Sequence, residues 1–100
     1  MAAVLKAVDG RIFQGVNIEV KRSAPCSICA EYAAIRAMVT GGATRMDTIV
    51  AVNGKKHAIL PPCGNCRQLI SEFGNPYILL KLKGRLVQTK LTGLYPIQIE

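Results

Sequence analysis

Pro62-Cys63-Gly64-Asn65-Cys66-Arg67-Gln68 and, upstream, Cys29-Ala30-Glu31 are two short stretches that make chemical sense only together. Each stands where a helix is expected to begin, and between them they carry three thiols and one carboxylate. Cys29, Cys63 and Cys66 read as three zinc ligands, which leave the fourth tetrahedral position open to water. Zinc lowers the pKa of such a water to roughly 7 and makes a hydroxide nucleophile at neutral pH. Glu31 is then no ligand but a proton shuttle between that water and a substrate. The fold must bring the two stretches together, so this reading also constrains the architecture.

Working outward, the chain predicts alternating strands and helices. Ala3 to Val8 and Arg11 to Val20 read as a hairpin turned at Asp9-Gly10, with Gly15 as a candidate bulge. Lys21 to Cys26, with Ser23 and Pro25, reads as a loop. Ser27 is positioned to cap a helix over Ile28 to Thr40 that Gly41-Gly42 stops. Thr48 to Val52 is a continuous apolar run, the pattern of a strand buried on both faces. Asn53-Gly54 turns the chain, and Lys55 to Leu60 adds a short extended piece. Pro61-Pro62 then sets Cys63 at a second helix start, with Cys66, Leu69, Ile70 and Phe73 at helical spacing. After Gly74-Asn75-Pro76, the strands Tyr77 to Leu82 and Leu86 to Lys90 are joined by Lys83-Gly84-Arg85, a turn short enough to make them antiparallel. Leu91 to Glu100 shows little pattern. The expectation is one α/β domain over residues 1–100, a mixed five-stranded sheet flanked by helices. Both half-sites fall at helix N-termini, where the dipole and free amides favour thiolates.

Composition narrows the function. No apolar run approaches the ~20 residues of a membrane span, and no secretory signal pattern opens the chain. A cytoplasmic setting keeps the four cysteines reduced, so they read as metal ligands before disulfides. A net charge of +7 suits anionic partners, nucleic acid among them, although a solvated basic face is the plainer reading. The five aromatics are not interleaved with the basic residues, so no stacking platform for a single strand is evident. Lys81, Lys83 and Arg85 read as a solvent face, and His57 as an exposed loop residue rather than a ligand. Cys26 leaves an alternative open. Cys26-x-x-Cys29 with Cys63-x-x-Cys66 would make a closed structural zinc site with no catalysis. The two readings part on Cys26→Ala: zinc persists in the catalytic site and weakens sharply in the structural one.

At these residues the chain resembles the cytidine deaminase family. Cys29-Ala30-Glu31 matches its Cys-Ala-Glu, and Pro62 to Gln68 matches its Pro-Cys-Gly-x-Cys-Arg-Gln. Gly15-Val16-Asn17-Ile18-Glu19 looks like its Gly-x-Asn-x-Glu strand, and Leu94-Tyr95-Pro96 like its Leu-Leu-Pro. The resemblance implies hydrolytic deamination of a cytosine nucleoside, with one zinc per subunit on Cys29, Cys63 and Cys66 and Glu31 moving protons. It implies that Asn17 and Glu19 bind ribose hydroxyls, that Ala30 lies beside the substrate, and that Pro62, Arg67 and Gln68 support the site. It further implies a homo-oligomer, a tetramer ahead of a dimer. Antiparallel last strands are similar to the free-nucleoside branch, whereas nucleic-acid cytosine deaminases place theirs parallel. A related branch acts on blasticidin S with similar motifs.

The chain departs from the family pattern in three places, one of them Val20, which follows Glu19 where the family often has Asn. It starts at what resembles the first strand, without the family's N-terminal helix. Tyr32 stands where free-nucleoside members often carry Arg. Arg67, Lys21 and Arg22 are the candidates to offset the negative charge of a three-thiolate site in place of that Arg.

Overall fold

The computed structural model describes residues 1–22, 27–55 and 58–99. Its elements are β1 (Ala2–Ala7), β2 (Ile12–Val16), α1 (Ala30–Thr40), β3 (Met46–Asn53), β4 (Ala58–Leu60), α2 (Gly64–Ser71), β5 (Tyr77–Leu82), β6 (Arg85–Lys90) and α3 (Leu91–Leu94). The expected loop residues Ser23, Pro25 and Cys26, and the lone histidine His57, lie outside the described residues.

Among the described residues the sheet has six strands rather than five. Five run in the order β2-β1-β3-β5-β6, and β4 adds a short sixth along β3. Among the described residues only the β3–β5 pair is parallel; the last two strands are antiparallel, as the Lys83-Gly84 turn requires. Lys83 and Gly84 both take positive φ, 50° and 79°, the twist that matches a tight hairpin to its strands.

The first hairpin is wider than a two-residue turn. Gly10 N donates to Ala7 O at 2.9 Å and Ala7 N to Arg11 O at 2.9 Å, so Val8, Asp9 and Gly10 form the loop. Gly10 takes a φ of 94° as the left-handed third residue of that loop. Asp9 accepts from the Arg11 amide at 3.0 Å and from its guanidinium at 2.9 Å.

Gly15 is not a bulge. The β1–β2 register runs unbroken from Ala2↔Val16 to Lys6↔Ile12. The glycine instead lets α1 lie directly on β2, because a Cβ there would stand 2.6 Å from Ala33 Cβ and collide with the Ala34 amide. β2 ends at Val16, so Asn17 and Glu19 follow the strand rather than share its face. Ile18 continues the line through a bridge to Ile28.

The alternation along β1 sends Ala3, Leu5 and Ala7 into the core. There they meet Ile49 and Ala51 of β3, Ile78 and Leu80 of β5, Ala34, Ile35 and Met38 of α1, and Cys66 and Ile70 of α2. Burial of β3 on both faces was expected, but Val50 and Val52 are only half-buried. On the same side of the sheet Val4 is 36% exposed and Ile12 63%. The apolar run in β3 serves one packed face and one partly open one. The last segment, which carries little pattern as sequence, forms α3 and buries Leu91 completely. Among the described residues, no helix is long and apolar enough to cross a membrane.

Candidate metal centre and active site

Two helix N-termini build the site. Cys29 is the N-cap of α1 and Cys63 the N-cap of α2, both with extended backbone (φ −76°, ψ 158° and φ −70°, ψ 173°). Ser27 does not cap α1. Cys29 does so, its Sγ accepting from Tyr32 N at 3.4 Å, while Ser27 Oγ accepts from Val20 N at 3.3 Å. The extended N-cap explains how Cys29 and Glu31 converge although two residues apart. Cys29 is not yet on the helix, so the rule that i and i+2 point to opposite sides does not bind it.

Cys29 Sγ lies 3.1 Å from Cys66 Sγ. Ligand atoms of Cys29, Glu31 and Cys66 all fall within 4.8 Å of one another. Cys63 stands outside that tight group, at its rim. It lines the same cavity as Cys66 and Glu31. Cys66 and Glu31 are buried; Cys29 and Cys63 are exposed. Burial, above all, raises the Cys66 thiol pKa far above its usual value; the hydrogen bond with Cys29 and the Glu31 charge add to this. A bound dication inverts that preference, because a coordinating thiol is deprotonated outright. Soft thiolates gathered at two helix N-termini, with a carboxylate beside them, are a donor set that fits zinc.

The site opens into a cavity of about 410 Å³. Cys29, Ala30, Glu31, Cys63 and Cys66 line it, together with Asn17, Ile18 and Glu19. Asn17 Nδ2 donates to Glu19 Oε1 at 3.3 Å, and Asn17 Oδ1 accepts from the Met1 nitrogen at 2.8 Å. All three expected thiols, Glu31, Ala30 and the Asn17–Glu19 pair therefore border one space. A second open lobe lies across Cys29 and Cys66, lined by Tyr32, Arg36, Asn65 and Leu69. The Arg36 guanidinium sits 5.9 Å from the Tyr32 ring centre.

Pro62, Arg67 and Gln68 lie behind the thiols. The hydrogen bonds of Arg67 go to the Pro62 and Leu94 carbonyls, not to a thiol. Lys21 and Arg22 are exposed. Sequence reasoning left Tyr95 without a role, although its hydroxyl donates to Gln68 Oε1 at 2.7 Å. The Leu94-Tyr95-Pro96 motif was the one signal pointing there.

Residues 1–81 match the family model of the cytidine and deoxycytidylate deaminase zinc-binding region. The chain belongs to this family. Blasticidin-S deaminase of Bacillus cereus is 32% identical over 106 residues, covering 98% of this chain and 75% of that protein. A cytidine deaminase of Sporosarcina psychrophila is 37% identical over 99 residues, covering 96% of this chain and 71% of that one. Among solved structures, cytidine deaminase from Mycobacterium leprae superposes with a TM-score of 0.82 at 31% identity, over 96% of this chain and 77% of that chain. The mixed sheet with helices is thus the fold of this deaminase family, and the chain is a zinc-binding hydrolytic deaminase by descent.

Proposed function

We propose that the protein hydrolyses the exocyclic amine from the cytosine ring of a free nucleoside, yielding the uracil nucleoside and ammonia. The observation that carries this reading is the Glu31 carboxylate, buried within 4.8 Å of the Cys29 and Cys66 thiols on the wall of a nucleoside-sized cavity. Cys29, Cys63 and Cys66 would hold one zinc ion, which would supply Lewis-acid activation of the attacking water. Glu31 takes the proton of that water and delivers protons to the ring nitrogen and then to the departing amine, so the carbon–nitrogen bond breaks with neutral ammonia leaving. Asn17 and Glu19, which line the cavity, present amide and carboxylate groups to sugar hydroxyls. Ala30 has too small a side chain to obstruct the ring.

The test is ammonia release, with ultraviolet absorbance alongside, from cytidine, deoxycytidine, cytosine and blasticidin S. Turnover lost in Glu31→Ala supports the reading. No turnover of any of the four by zinc-loaded protein overturns it. The 32% identity to a blasticidin-S deaminase supports a second reading, in which the aminoacylated nucleoside is the better substrate. The ranking of the four rates decides between them.

The setting we infer is pyrimidine salvage in a reducing, cytoplasmic compartment, supported by the three free thiols of the site. A homo-oligomer, with a tetramer ahead of a dimer, is supported by the exposed apolar side chains of Ile18 and Tyr32 at the site's cavities.

A further inference from the structure

Adjacent residues of α2, the helix that carries Cys66 and is capped by Cys63, grip the end of the chain. Arg67 Nε donates to the Pro62 carbonyl at 2.9 Å, and its Nη1 to the Leu94 carbonyl at 3.0 Å. Gln68 Oε1 accepts from the Tyr95 hydroxyl at 2.7 Å and from Ile99 N at 3.1 Å. Leu91, which starts the segment, is fully buried. The segment is therefore anchored in the core at one end and to α2 along its length.

The Pro62 carbonyl belongs to the peptide unit that leads into Cys63. Cys29 is steadied by the bond from Tyr32 N. Cys63 is an N-cap whose side chain makes no capping bond, and it is exposed. Its orientation therefore depends on the peptide plane before it, which the rigid guanidinium fork ties to the carbonyl of Leu94.

We propose that Arg67 is a positioning residue that places the Cys63 thiol, and that through it the Leu91–Ile99 segment sets the affinity of the metal centre. This rests on the zinc reading above. It differs from a role as counter-charge to the thiolates, because both placed bonds of the guanidinium end on neutral carbonyls. A lysine keeps the charge but presents its donors from a single nitrogen, and it lacks the planar fork.

The experiment is a zinc competition titration against a chromophoric chelator with wild type, Arg67→Ala and Arg67→Lys. It is paired with the thiolate-to-cobalt absorption of the Co²⁺-loaded proteins and with hydrogen exchange over residues 91–99. Both variants are expected to bind zinc about 10- to 100-fold more weakly, the usual cost of losing a group that orients a ligand. The cobalt band should drop and the exchange protection of the segment should fall. Tyr95→Phe, which removes one hydroxyl and leaves the core intact, should weaken zinc binding in the same direction by a few-fold. It decides the matter if Arg67→Ala does not fold. Zinc-binding wild type with Arg67→Ala or Tyr95→Phe unchanged overturns the proposal, as does full restoration by Arg67→Lys, which would assign a charge role instead. Wild type that takes up no zinc overturns the zinc reading itself.

Discussion

Gly15 lies against the Ala33–Ala34 turn of α1 so closely that no side chain fits between strand and helix. This contact fixes the distance between the segment bearing Asn17 and Glu19 and the helix start bearing Cys29 and Glu31. Gly15→Ala should therefore push α1 off β2, because the colliding atoms are helix backbone and the Ala33 Cβ, none of which can rotate away. The expected loss of stability is about 1–3 kcal/mol, read by chemical denaturation. If the proposed activity is present, KM for cytidine should rise more than kcat falls. Wild-type stability in this variant would show that the helix yields freely.

The sulfur of Cys29 has two tasks, zinc ligand and helix cap, and substitutions separate them. Cys29→Ser retains an acceptor for the Tyr32 amide, whereas Cys29→Ala leaves that amide unpaired. In metal-free protein the serine variant should be the more stable by roughly 0.5–2 kcal/mol. In zinc titrations both should bind far more weakly than wild type. Cys26→Ala should leave the zinc content at one per chain, measured by elemental analysis, while Cys66→Ala should not. Loss of zinc in Cys26→Ala would favour a closed four-cysteine site.

Metal removal should reverse the pH dependence of stability. Without a cation, burial and the neighbouring Cys29 and Glu31 hold Cys66 as a neutral thiol, with its folded pKa above the ordinary value. The folded state then binds this proton more tightly than the unfolded chain does. That contribution is fully present below the ordinary thiol pKa of about 8.5 and is lost as pH rises beyond it. Metal-free protein should accordingly melt at progressively lower temperature above about pH 8.5. Zinc-loaded protein should instead weaken toward acid, because protons compete for the thiolates. Thermal melts with and without chelator across that range check both signs. A metal-free protein whose melting temperature climbs into alkali would contradict the neutral-thiol state.

Much of this site was legible as sequence. Pro62 to Gln68 declared a helix start with two thiols one turn apart, and Cys29-Ala30-Glu31 declared the other half. Period-two and period-3.6 patterns placed both stretches after strands. What escaped reading depended on contacts between distant residues or on a single backbone conformation. Gly15 looks the same whether it marks a bulge or admits a helix, and only the position of Ala33 and Ala34 decides. The convergence of Cys29 and Glu31 turned on the extended φ and ψ of one N-cap residue. Lys55 to Leu60 read as a short extended piece, but the three residues Ala58–Leu60 carry too little pattern to show that they pair with β3 as a sixth strand. The role of Tyr95 exists only because Gln68, 27 positions earlier, faces it.

The mouth of the cavity yields the last prediction. Asn17 donates to Glu19 and accepts from the Met1 nitrogen, so its amide is held in one orientation before any ligand arrives. A group fixed in this way contributes binding without first having to be ordered. If the pair holds the sugar, Asn17→Ala should leave zinc content and folding intact. It should lower kcat/KM for cytidine by about 5- to 150-fold, the range for losing one buried hydrogen bond worth about 1–3 kcal/mol. Free cytosine has no sugar hydroxyls, so its rate should change far less. The measurement is the ratio of cytidine to cytosine kcat/KM in the variant against wild type. A ratio that stays constant while both rates fall would place Asn17 in the scaffold of the cavity and remove it from sugar recognition.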